Sequence, residues 1–165
     1  MRSRALADAS IERVPRLFAA IGGLMAIEHI MSRQVVTVQL DDNLKQVRDL
    51  FAAFRFHHLL VLEHGKLVGI ISDRDLLANL SPFIGKLQEK PIDLASLQKH
   101  VHQIMSRHVV TVTPSTSLQD AAKLMLDRGI SCLPVVDAEE HVVGIVTWRD
   151  LLRGAYGIEP AKTAA

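Results

Sequence analysis

Apolar residues along this chain change their period several times, and the changes mark out its elements. Residues 35–38 and 109–112 are β-branched runs, Val-Val-Thr-Val in both places, and predict two short strands. Behind Asp41-Asp42-Asn43, Leu44, Val47, Leu50, Phe51 and Phe54 recur at helical spacing. Leu118, Ala121, Ala122, Leu124 and Met125 do the same behind Pro114-Ser-Thr-Ser117. Each set predicts an amphipathic helix with capping residues in front. Residues 58–62 and 67–71 then read as strands joined at His64-Gly65, and residues 133–136 and 142–146 repeat that pair. A short closing helix is predicted from Asp73 and again from Trp148. The order is β-α-β-β-α, twice.

The residues themselves are duplicated. Ile30-Met-Ser-Arg-Gln-Val-Val-Thr-Val38 returns 74 positions later as Ile104-Met-Ser-Arg-His-Val-Val-Thr-Val112. Gly69-Ile-Ile-Ser-Asp-Arg-Asp-Leu-Leu77 returns 75 positions later as Gly144-Ile-Val-Thr-Trp-Arg-Asp-Leu-Leu152. One residue has therefore entered between the two blocks, most simply in turn 137–141. Between the copies, Ser81-Pro82 and Lys90-Pro91 argue against continuous regular structure. Beyond them Leu94, Leu97, Val101 and Ile104 lie at helical spacing behind Asp93, a predicted N-cap, so a helix is expected to lead into the second copy, and Ile27, Ile30 and Met31 to begin the first in the same way. The expected division is a 1–24 extension, a 25–80 first repeat, an 81–98 linker, a 99–157 second repeat and a flexible 158–165 tail. A copy of about 55 residues buries little core alone, so α+β halves packed sheet to sheet are expected.

Composition narrows the class. With 48% hydrophobic and 22% charged residues the chain reads as globular, and 165 residues leave little room for a catalytic apparatus beside two repeats. Nineteen basic against 18 acidic side chains give a net charge of +1, which exerts no general pull on nucleic acid or an anionic membrane. The single cysteine, Cys132, excludes an internal disulfide and a cysteine-rich metal site, and a reducing, cytoplasmic setting is expected. Arg2, Arg4, Arg13 and Arg16 ahead of apolar residues 17–27 imitate a signal peptide, but Asp8 and Glu12 interrupt the basic part and Gly22-Gly23 the apolar one. That run is too short to span a bilayer, and Met25 is an equally good start.

The duplicated unit, with Ile-Met-Ser at its start, Leu-Pro-Val-Val in the second copy and a closing Gly-Ile-Val/Ile-Thr/Ser-x-x-Asp-Leu-Leu, resembles a tandem pair of cystathionine-beta-synthase (CBS) domains from about Ile27 to Ala155. The resemblance implies a regulatory, energy-sensing module that binds AMP, ADP, ATP or S-adenosylmethionine in the cleft between repeats. It also implies a homodimer and an unidentified regulated protein. Independently of the family, a Ser or Thr at a strand end with Asp three residues on gathers a hydroxyl, backbone N–H groups and a carboxylate. The first two suit phosphate and the last suits ribose hydroxyls. The same spacing is also a capping box that needs no ligand. Arg74 and Arg149 oppose the helix macrodipole in the first turn, a cost of roughly 0.3–1 kcal/mol that a phosphate would offset.

Carried over from the family, Ser72 and Asp75 work with Thr113, Ile130 and Ser131, and Thr147 and Asp150 with Gln39, Phe56 and His57. The first set follows the family pattern, with Thr-Pro and Gly-Ile-Ser. The second has Gln39-Leu40 and Arg55-Phe56-His57 instead, so the first is expected to hold the ligand and the second to be altered or empty; Phe56 would stack on a base or fill the pocket. Adjacent His57 and His58 face opposite ways on a strand, and His100-x-His102 at a helix start does not share a face, so no metal is expected. Cys132 is expected to be buried and inert, and Trp148 to be buried at an interface. No Gly-rich phosphate loop, HExxH or GxSxG sequence is present, so no catalytic residues are assigned and no covalent cofactor is expected. The competing reading is a ligand-independent dimerisation module whose Ser/Thr-x-x-Asp motifs are only caps.

Overall fold

The computed structural model describes residues 25–54 and 56–158; the expectations for 1–24 and most of the tail lie outside them. In chain order the elements are a 3-10 turn (Ile27–His29), β1 (Thr37–Gln39), α1 (Leu44–Phe54), β2 (His58–Glu63), β3 (Lys66–Ser72) and α2 (Asp73–Asn79). Then follow α3 (Pro91–Ala95), two 3-10 turns (Ser96–Gln98, Val101–Gln103), α4 (Leu118–Arg128), β4 (Cys132–Val136), β5 (Val142–Thr147) and α5 (Trp148–Tyr156). The class is α+β, with two repeats and two sheets, as the periodicities predict. No described helix is long and apolar enough to cross a membrane.

In the first copy β1 pairs parallel with β2, and β2 antiparallel with β3. His64 and Gly65 both have positive φ (50° and 82°), the twist a two-residue hairpin turn demands. The second copy repeats the β4–β5 hairpin, with its first strand reduced to a parallel bridge between Val112 and Val135. Its turn, 137–141, is longer and is closed by Asp137, whose Oδ1 accepts from the backbone N–H of Glu139 (3.0 Å) and His141 (2.8 Å). The extra residue lies in that turn, as the offset implied.

The predicted continuous helix over 94–104 does not form. Pro91 occupies the first turn of α3, where its missing N–H costs nothing. Asp93 is not the N-cap but sits three residues in, accepting from the Lys90 N–H (2.8 Å) and the Ser81 hydroxyl (2.6 Å), and the Ser81 bond lowers its carboxyl from the usual range. The helix ends because Lys99 turns extended and the chain is drawn into a bridge between His100 and Asn43. Leu44 N–H donates to Lys99 O and Val101 N–H to Asp42 O, both at 2.9 Å.

The described residues form two compact units that do not coincide with the two copies. Unit one comprises 25–33, 111–136 and 144–158; unit two comprises 34–110 and 137–143. The lead-in segments are exchanged. In unit one Ser32 bridges Ile145, and in unit two Ser106 bridges Ile70. Gly144 and Gly69 allow this approach: a Cβ on Gly144 would lie 3.0 Å from Ser32 O and 2.8 Å from Met31 Sδ, and one on Gly69 would lie 3.2 Å from Ser106 O. The core of unit two gathers Val38, Leu44, Val47, Leu59, Val61 and Ile71 with Val101 and Met105 from the second lead-in.

Candidate functional site

Both Ser/Thr-x-x-Asp motifs stand where an antiparallel strand ends and a helix begins, in reciprocal capping boxes. Ser72 Oγ accepts the Asp75 N–H at 3.2 Å, while Asp75 Oδ2 accepts from the Ser72 N–H (2.8 Å) and hydroxyl (2.6 Å). Thr147 and Asp150 reproduce this with 3.4, 2.8 and 2.6 Å. Each box holds hydroxyl, backbone and carboxylate rigidly and engages Oδ2. In the second motif Asp150 Oδ1 also faces Arg153 Nη1 at 3.4 Å.

The residues just before β2 and β4 are tied to the same helix starts. Asp73 N–H donates to His57 O, and Trp148 N–H to Ser131 O, both at 3.1 Å. His57 adds a 2.7 Å contact from Nδ1 to Asp73 Oδ2. The structure therefore brings Phe56 and His57 together with Ser72 and Asp75 in unit two, and Ile130 and Ser131 with Thr147 and Asp150 in unit one. The Phe56 ring stacks on Phe54 (5.5 Å between centroids) and meets Phe51 edge-on (5.9 Å) against the core of its own unit. Next to this edge, burial pushes the His58 imidazole below its ordinary value of 6.5. Arg74 is exposed, and the Arg149 guanidinium lies 5.3 Å over Trp148, which is itself 48% exposed in this chain.

Gln39 and Thr113 are not at these edges. Gln39 lies beside Leu62, next to the hairpin turn, and Thr113 follows Val112, which bridges Val135. The motifs sit at the other end of β2 and β4, where Ser72 faces His58. At about 3.3 Å per residue, the four positions from Leu62 to His58 span roughly 13 Å. The Thr113 hydroxyl is instead occupied in a local turn with Ser115 (3.1 Å) and Thr116 (3.3 Å). The expected grouping of Thr113 with Ile130 and Ser131, and of Gln39 with Phe56 and His57, fails on this register. Parallel neighbours start at the same end, so residues before Thr37 and Val112, not those after, reach the motif edge.

Further side chains depart from the sequence reading. His100 and His102 do share a face, with rings stacked 5.5 Å apart, because the segment is a bridge running into a 3-10 turn rather than an α-helix. Their Nδ1 atoms meet the carbonyls of Asp41 (2.8 Å) and Leu40 (3.0 Å). Asp137, Glu139 and His141, which the sequence reading passed over, bring possible ligand atoms within 4.8 Å of one another in the long turn. Alternate residues of a five-residue loop carrying carboxylates and imidazole were the available signal. Cys132 is buried, and burial pushes its thiol up to about 12, so it is an inert core residue.

Comparison with known proteins assigns the repeat. The family described as "CBS domain" matches residues 27–82 and 101–157. A CBS domain-containing protein of Dictyostelium discoideum is 37% identical over 128 residues, covering 76% of this chain and 88% of its own. Among solved structures, the CBS domain pair of protein MJ0100, in complex with 5′-methylthioadenosine and S-adenosyl-L-methionine, is 28% identical with a TM-score of 0.68, and the match covers 82% of this chain and 99% of that one. CBSX2 in complex with AMP is 29% identical with a TM-score of 0.66, over 82% and 98%. Where larger enzymes match, the shared region is less than a quarter of their length.

Proposed function

This chain belongs to the CBS domain family as a tandem pair, and from that premise we propose that it is a regulatory module that binds an adenosyl ligand (AMP, ADP, ATP or S-adenosylmethionine) and thereby modulates a partner protein. The observation that carries the reading is that two solved CBS pairs, similar over nearly their whole length, are described in complex with adenosyl compounds, while this chain keeps Ser72-x-x-Asp75 and Thr147-x-x-Asp150 intact. The chemistry agrees. The capping boxes hold each carboxylate in place before a ligand arrives, so little ordering cost remains for the ribose contact. Arg74 and Arg149 supply cationic groups beside the first helical turns, where backbone N–H groups also favour phosphate. Ligand binding shifts the module only as far as its two arrangements bind the ligand differently, and a partner reads that shift. The module acts as a homodimer in the cytoplasm and performs no catalysis of its own.

Thermal-shift and calorimetric titrations with AMP, ADP, ATP and S-adenosylmethionine test this. A ligand at a hundred times its Kd should stabilise the protein by about 2.7 kcal/mol. Asp75→Asn and Asp150→Asn keep a capping acceptor but remove the charge, and should weaken binding about tenfold at their own sites. No binding below millimolar for all four ligands would overturn the proposal. The closed capping boxes favour one alternative, a ligand-independent interaction module; it predicts a dimer by light scattering whose stability ignores every nucleotide.

A further inference from the structure

Unit one contains an open cavity of about 520 Å³ against α5, with Asp150 and Arg153 on one side and His29, Ile30 and Met31 on the other. That volume falls within the range of small-molecule sites, and its wall mixes apolar and sulfur-bearing side chains with a few polar groups. The Arg153 guanidinium reaches Asp150 Oδ1 at only 3.4 Å, and its side chain is 43% exposed, so most of its five donors are not committed to that contact. The arginine that follows each Ser/Thr by two, Arg74 or Arg149, occurs in both copies and does not distinguish the two motifs. Arg153 does: Ala78 holds the corresponding place after Asp75, and Gln103 corresponds to His29.

Resting on the adenosyl-ligand reading above, we propose that the Asp150 site selects a 5′-phosphorylated adenosine over S-adenosylmethionine, and that Arg153 is the residue that makes the choice. Asp150 accepts from the ribose, as its partly buried carboxylate beside the Thr147 cap allows. The guanidinium one helical turn further on then meets what the ribose carries at its 5′ position. A phosphate gains charge-assisted hydrogen bonds there, whereas a sulfonium brings a second positive charge into a half-enclosed cavity. This assigns ligand binding to the motif that the structure places beside Ile130 and Ser131.

The chain supplies its own reporter, since its single tryptophan, Trp148, stands two residues before Asp150. Trp148 fluorescence titrations of the full chain should give AMP an affinity about tenfold or more above those of adenosine and S-adenosylmethionine. Arg153→Gln should remove most of AMP's advantage over adenosine, leaving only the part that Arg149 and the helix N–H groups supply, and leave adenosine within about twofold, whereas Arg153→Lys, which keeps the charge, should retain more of the gap. Equal affinities for AMP and adenosine in the natural chain, tighter binding of S-adenosylmethionine, or a Gln variant that weakens all three ligands alike would each overturn the inference while leaving adenosyl binding standing. Absence of binding by all three would remove both.

Discussion

At the scale of single residues, backbone contact and desolvation decide more than side-chain identity. Gly144 and Gly69 are small because a lead-in backbone lies against them. Gly144→Ala should therefore cost about 1–3 kcal/mol, read as a lower urea midpoint, even though alanine is a mild change elsewhere in a strand. His58 gives a pH dependence whose sign follows from its lowered folded-state pKa. Below its ordinary value of 6.5 the unfolded chain takes up the proton more readily than the folded one. The stability this contributes is present above that pH and is lost as pH falls through the folded pKa. Urea midpoints measured from pH 7.5 down to about 5 should decline, and His58→Gln should flatten the slope. The motif itself was legible as residues, but Ser72, Asp75, Thr147 and Asp150 read equally as caps or as ligands, because both roles use the same hydroxyl and carboxylate.

At the scale of elements, local patterning predicted what local forces make. The helices at Leu44–Phe54 and Leu118–Arg128, the two hairpins and both closing helices follow from apolar spacing and capping residues that lie next to one another in the chain. The His64-Gly65 turn was visible too, and His64 at φ 50° is the costly member of the pair. His64→Asn should raise stability by several tenths of a kcal/mol, up to about 1, in a denaturant melt, since asparagine tolerates that conformation better. The prediction of a helix over 94–104 failed where a non-local bond competed. His100 pairs with Asn43, more than fifty residues away, and no window of sequence around Lys99 carries that information. His100 and His102 share a face for the same reason.

At the scale of the molecule, the exchange of lead-in segments reassigns which residues stabilise which sheet. Ile145 N–H donates to Ser32 O and Ser32 N–H to Ile145 O, each at 2.9 Å, so a segment at the start of the first copy closes an edge in the second. Removing residues 25–33 should strip hydrogen-exchange protection from Ile145 and lower it across β4 and β5. Protection in β2 and β3 should stay close to that of the full chain. The opposite distribution would mean that each lead-in serves its own copy.

The amino-acid sequence by itself determined the duplicated β-α-β-β-α order, the α+β class, the place of the inserted residue and the two closing motifs, because all of these rest on periodicity and on repetition within one chain. Only the tertiary structure decided which residues meet. Parallel pairing sent Gln39 and Thr113 to the far end of their strands, burial gave Phe56 to the core, and the first copy's lead-in joined Asp150 and Arg153 around a cavity. Register and exchange are long-range choices, settled by the joint burial of apolar faces and the pairing of backbone groups distant in sequence, and so they leave no local mark to read.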